Sequence, residues 1–109
     1  MRDTVIRKTS GMMARLASDL TANFEVMGQK LREQIAKVTI SKGGPWISIA
    51  FLFRDLKDDG KTYNKPKMML ANFKSDNAFF KRYNYFLIRD KEEAQKIYNL
   101  IKEWFDVED

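Results

Sequence analysis

The sequence predicts an α+β domain: an antiparallel four-stranded sheet with an N-terminal and a C-terminal helix packed on one face, in the order α-β-β-β-β-α. Three observations predict it. An apolar stripe at helical spacing runs through residues 13–35, four strand-like runs joined by short turns follow between 38 and 89, and a capped amphipathic segment begins at Asp90.

Residues 1–9 read either as a flexible arm or, through Thr4-Val5-Ile6-Arg7, as a short added strand. From Ser10, a candidate N-cap, Met13, Leu16, Leu20, Phe24, Met27, Leu31 and Ile35 recur every three or four residues. Gly28 is the weak point of that helix and marks a bend or break. The opposite face carries Arg15, Ser18, Asp19, Glu25, Arg32 and Glu33.

Val38-Thr39-Ile40 is β-branched and gives a short first strand, and Ser41-Lys42-Gly43-Gly44-Pro45 is a turn. Residues 46–54 alternate: Ile47, Ile49, Phe51 and Phe53 share one side, and Trp46, Ser48, Ala50, Leu52 and Arg54 the other. Asp59-Gly60 is a hairpin signal inside a longer loop that reaches Pro66. Residues 67–74 and 79–89 are the third and fourth strands, separated by Ser75-Asp76-Asn77. Asp90, with Glu93 three residues on, opens the last helix, for which Ala94, Ile97, Tyr98, Ile101, Trp104 and Phe105 are the predicted buried stripe. Residues 106–109 form an acidic tail. Short turns make the sheet antiparallel, and two helices cover one face of it, leaving nothing to cover the other.

Composition narrows the function. The 109 residues suit one domain, and 44% are apolar, enough for a core. No run approaches the roughly 20 apolar residues of a membrane span, and the first residues lack the pattern of a secretory signal. The chain has no cysteine and no histidine. Thiolate nucleophiles, cysteine metal sites and the commonest acid–base side chain are excluded together, so the expectation is a non-enzyme with no cofactor and no metal. Absence of disulfides points to a reducing, cytoplasmic setting. Asp55-Leu56-Lys57-Asp58-Asp59-Gly60 falls short of a calcium loop, because Lys57 stands at a ligand position and Pro66 where the closing Glu belongs. Lys42-Gly43-Gly44 lacks the ending of a phosphate loop.

The net charge of +5 is unevenly spread. Residues 1–90 hold 17 Lys and Arg against 9 acidic residues, whereas residues 91–109 hold 3 against 6. The window 61–89 has seven cationic residues, Asp76 as its one acid, and seven aromatic rings. Cations neutralise phosphates while rings stack on bases, so this mixture suits a single-stranded polyanion. In the run 79–86, alternation sends Phe79, Lys81, Tyr83 and Tyr85 to one side and Phe80, Arg82, Asn84 and Phe86 to the other. Pattern alone does not choose the wet side; the polar tip of Tyr favours Lys81, Tyr83 and Tyr85 outward. Trp46 lies beside them, with Ser48 and Ala50 as a shallow floor. The plainer reading is that aromatic residues favour strands anyway and cations protect edges.

Gly43-Gly-Pro-Trp-Ile-Ser-Ile49, the hairpin at 58–61, Lys65-Pro66-Lys67, the aromatic strand and the Asp-Lys-Glu-Glu helix start at 90–93 together resemble, in layout, the single-stranded-DNA-binding modules of the positive-cofactor-four and Whirly type. The same region is similar to the small single-stranded-DNA-binding proteins of thermophilic archaea. The resemblance covers a little over half of the chain, is architectural, and implies a homodimer. A second resemblance, to the α-β-β-β-α proteins that bind RNA in the signal recognition particle, implies structured RNA as the ligand. A third is to pleckstrin-homology adaptors, for whose seven strands the chain is short.

The expectation is therefore sequence-tolerant binding of single-stranded DNA, or RNA, on the open sheet face. Lys65, Lys67, Lys74, Lys81 and Arg82 would meet phosphates, Trp46, Phe73, Tyr83 and Tyr85 would stack, and Arg54 belongs to the same candidate site. The competing expectation is a structural or regulatory module whose open face pairs with another protein chain.

Overall fold

A computed structural model describes residues 12–108. The predicted arm at 1–9 and the cap at Ser10 lie outside the described residues. Within them the chain forms a six-stranded antiparallel half-barrel followed by one helix, rather than a four-stranded sheet between two helices. The strands are β1 (Met13–Ala14), β2 (Phe24–Val26), β3 (Gln29–Gly43), β4 (Trp46–Asp55), β5 (Lys67–Asp76) and β6 (Phe79–Ile88), and the helix is α1 (Lys91–Phe105). Their order across the sheet is β1-β6-β5-β4-β3-β2.

The predicted N-terminal helix is not formed. Its apolar residues are divided among β1, a 3-10 turn at Ala17–Asp19, β2 and the first third of β3. The reason is local. Met27 and Gly28 have φ of 51° and 81°, the pair of left-handed residues a two-residue type I′ hairpin requires, and they fold β2 back on β3. The weakness at Gly28 is thus the centre of a hairpin turn and not a bend in a helix. Downstream, β3 continues for 15 residues through Val38-Thr39-Ile40, so the short first strand is the longest of the sheet.

The order of the strands explains how the core is closed. β1 pairs with β6 at one edge and β2 with β3 at the other, so the segment between them crosses the concave face as a strap. Leu20 and Ala22 of this strap are buried against Ile47, Ile49, Phe51, Phe53, Met69, Ala71 and Phe73, the inward-facing residues of β4 and β5. Side chains of β3 pin it. Gln34 Oε1 accepts from the Thr21 hydroxyl and the Ala22 N–H, both at 2.9 Å, and the Lys37 ammonium donates to the Ala17 and Ser18 carbonyls. Partial burial draws the Lys37 pKa below the ordinary lysine value, an effect that Asp19 opposes. The cover is an irregular strap, where two helices were expected.

Register shifts bend the sheet. They fall opposite Phe24/Glu25, between Gln34 and Ala36 and between Thr39 and Ser41 in β3, and opposite Asn72/Phe73 in β6. Each inserts a residue and increases the local twist. The β3–β4 turn is Gly44-Pro45, with Gly44 at φ 57°. The β5–β6 turn is Asn77-Ala78, with φ of 53° and 71°. The Ser75 N–H donates to the Pro45 carbonyl at 2.7 Å, tying the two hairpin tips together.

In the β4–β5 loop, Asp59 accepts from the backbone N–H groups of Lys61 and Thr62 and from the Thr62 hydroxyl. The bond from the Thr62 N–H is the main reason its pKa is lowered to about 2. The acidic run is a self-capped turn.

α1 starts where predicted. Asp90 Oδ1 accepts from the Glu93 N–H at 2.8 Å, and Glu93 reaches back to the Arg89 N–H and guanidinium. The predicted buried stripe is overturned: no residue of α1 is buried, and Tyr98, Ile101, Trp104 and Phe105 are exposed. No helix among the described residues is long and apolar enough to cross a membrane.

Candidate nucleic-acid interface

The convex face of β3–β6 is the side over which, among the described residues, nothing packs as a layer. Pairing across the four strands divides it into rows. At the hairpin tips lies the row Gly43, Trp46, Lys74, Lys81. Next comes a polar row, Ser41, Ser48, Asn72, Asn84. Two apolar rows follow, first Val38, Ala50, Leu70, Phe86 and then Ala36, Leu52, Met68, Ile88.

The tip row carries the rings and charges. Trp46 and Tyr83 meet edge to face with centroids 5.1 Å apart, and the Lys74 ammonium lies 5.5 Å from the Trp46 ring centroid. Lys74 and Lys81 are directly paired and exposed. Neither forms an ion pair among the described residues, so there each ammonium can meet a phosphate without first breaking a bond to a carboxylate.

The bulge in β6 decides this arrangement. Arg82 pairs with Phe73 and Asn84 with Asn72, leaving Tyr83 as the extra residue. Tyr83 and Asn84 therefore both face the convex side, and the alternation of the strand changes phase between them. As a result Tyr85, expected beside Tyr83, faces the concave side opposite Ala71. There the Arg82 guanidinium covers the Tyr85 ring at 4.0 Å and reaches the Met69 sulfur at 3.5 Å. Arg82 and Tyr85 satisfy each other, away from the tip.

The remaining predicted residues scatter. Phe73 is fully buried in the core, edge to face with Phe51, and has no surface on which a base could stack. Arg54 is on the convex side but at the far end, paired with Glu33 at 2.6 Å and lying over the Tyr63 ring. Lys67 shares Asp55 with Arg32. Lys65 is exposed in the loop before β5, beside the start of α1. Of the ten residues singled out from sequence, Trp46, Lys74, Lys81 and Tyr83 come together.

The polar row was missed. The Ser48 hydroxyl donates to Asn72 Oδ1, and Asn72 Nδ2 donates to Asn84 Oδ1 at 2.8 Å. The chain of bonds runs one way and ends on the amide group of Asn84, an exposed side chain in a shallow groove of about 450 Å³ that Ile40, Leu70 and Phe86 also line. Its signal was present: Ser48, Asn72 and Asn84 are uncharged hydrogen-bonding residues at mid-strand, between apolar neighbours.

Among the described residues no group of three or more acidic side chains is placed to hold a metal ion. The fold is that of an antiparallel half-barrel with a single terminal helix. Compared with known proteins, the chain matches no family model, no curated protein and no solved structure.

Proposed function

We propose that the chain binds single-stranded nucleic acid, with DNA as the first candidate, at the hairpin-tip end of its convex sheet face. The observation that carries this reading is the meeting of Trp46 and Tyr83 with Lys74 and Lys81 on one exposed row. The two rings offer π-faces to unstacked bases, and such stacking contributes about 1–3 kcal/mol per base whatever the base. The two ammonium groups lie where the backbone of a stacked strand would pass. Below them, the Ser48–Asn72–Asn84 row offers amide groups to base edges. A duplex hides its base faces and gains nothing from the rings.

The test is an anisotropy titration with labelled single-stranded DNA, double-stranded DNA and RNA oligonucleotides at two salt concentrations. Single strands should bind in preference to duplex. Affinity should fall with salt at a log–log slope of about −0.7 per phosphate neutralised, and Lys74→Ala should flatten that slope by about 0.7. Equal binding of duplex, or a slope unchanged in the variant, contradicts the reading.

A further inference from the structure

We infer that two copies of this chain pair reciprocally, the helix α1 of each lying across the apolar rows of the other's convex sheet face. The inference does not rest on nucleic-acid binding: it uses the apolar rows, which adjoin the Asn84 groove at Ile40 and Phe86, and not the tip row.

Among the described residues, two apolar surfaces are left largely uncovered. One is α1, whose Tyr98, Ile101, Trp104 and Phe105 keep 41, 42, 68 and 72% of their surface exposed. The other lies on the apolar rows of the convex face, where Ala50 and Ile88 are already buried but Val38 and Phe86 keep 59 and 58%. A helix following β6 after two residues could have lain back on its own sheet. It is instead fixed at its first turn by the Asp90 cap and by Glu93, which holds both the Arg89 N–H and its guanidinium.

Four rings, Tyr98, Trp104, Phe105 and Phe86, alone present on the order of 500 Å² per chain, taking about 150–250 Å² for each whole side chain. Two reciprocal contacts double this to roughly 1,000 Å², before Val38, Ile40 and Ile101 are added, which reaches the size of a specific interface. Monomers rarely leave patches of this kind in water. Charge does not oppose the pairing: at the apolar end of the face Arg54 is paired with Glu33, so the acidic segment 91–109 meets no excess of like charge there. A twofold arrangement also closes: each copy gives one helix and one face, and no third copy can add.

The absence of cysteine makes the geometry testable. Sedimentation of the full chain at tens of micromolar should give twice the mass of one chain, and Phe105→Glu and Phe86→Glu should each return it to one while circular dichroism keeps the sheet signal. Two proteins with single substitutions, Ile101→Cys and Val38→Cys, are then mixed, allowed to exchange and oxidised. The expected product is a disulfide between the two different proteins, with little linkage within either alone. A monomer at that concentration overturns the inference. So does a dimer in which Ile101→Cys links chiefly to itself, which would mean helix against helix, or Val38→Cys to itself, which would mean sheet against sheet.

Discussion

Tyr83 and Tyr85 differ by two positions and, by strand alternation, ought to be equivalent. The bulge that leaves Tyr83 unpaired separates them: Tyr83 joins Trp46, and Tyr85 lies under Arg82 on the concave side. Tyr83→Ala should therefore weaken single-strand binding by about 1–3 kcal/mol, while Tyr85→Ala leaves it within a factor of two or so. Equal losses in the titration would contradict this placement. Phe73→Ala should act differently again, lowering stability by about 3–5 kcal/mol in denaturant unfolding, because it empties part of the core. Asp59 supplies a pH-dependent test. Its carboxylate accepts three bonds in the loop, and its pKa is lowered to about 2. Because the folded value lies below the unfolded one, ionised Asp59 favours the ordered loop above about pH 4, and this contribution fades as pH falls toward 2. Carboxyl carbon shifts of Asp59 should titrate at about 2; titration near 4 would show the loop bonds to be unimportant.

At the scale of elements, the sequence was most legible where one physical pattern acted alone. Residues 46–54 alternate cleanly and form β4, and Asp90 with Glu93 marks the start of α1. It was least legible where two patterns overlapped. Met13, Leu16, Leu20, Phe24, Met27, Leu31 and Ile35 fit a helical period, yet Gly28 beside Met27 supplies a hairpin turn, and the long strand that follows recruits Leu31 and Ile35. Spacing could not reveal that Leu20 and Ala22 belong to a strap, since that depends on β1 and β2 lying at opposite edges of the sheet. For the same reason the stripe of α1 reads as buried: periodicity shows that a face is apolar, and does not show that no other described element covers it. In the site, ring and charge content located the tip row, but the bulge that assigns Tyr83 and Tyr85 to opposite sides has no mark in the sequence. The hairpin Asn77-Ala78 carries its own prediction. Ala78 has φ of 71°, a conformation that costs an L-residue about 1–2 kcal/mol and glycine almost nothing. Ala78→Gly should raise the unfolding free energy by about 1 kcal/mol and leave binding intact; destabilisation would show that the turn is not of the left-handed type.

The whole molecule is a curved sheet whose two faces have been given different tasks. The concave face is filled by the chain's own strap and holds the fold together. The convex face is graded from rings and ammonium groups at the hairpin tips, through a hydrogen-bonded polar row, to apolar rows beside the helix end. On that gradient rest both proposals, a nucleic acid at the tip row and a second copy on the apolar rows. The two tryptophans report on the two ends separately, Trp46 in the tip row and Trp104 on α1. The most direct measurement is the pair of indole N–H signals in nitrogen–proton correlation spectra during titration with an oligothymidine. Binding at the tip predicts that the Trp46 signal shifts progressively and saturates while the Trp104 signal stays in place. A shift of Trp104 alone, or of neither, would contradict the assignment of the convex tip as the nucleic-acid surface.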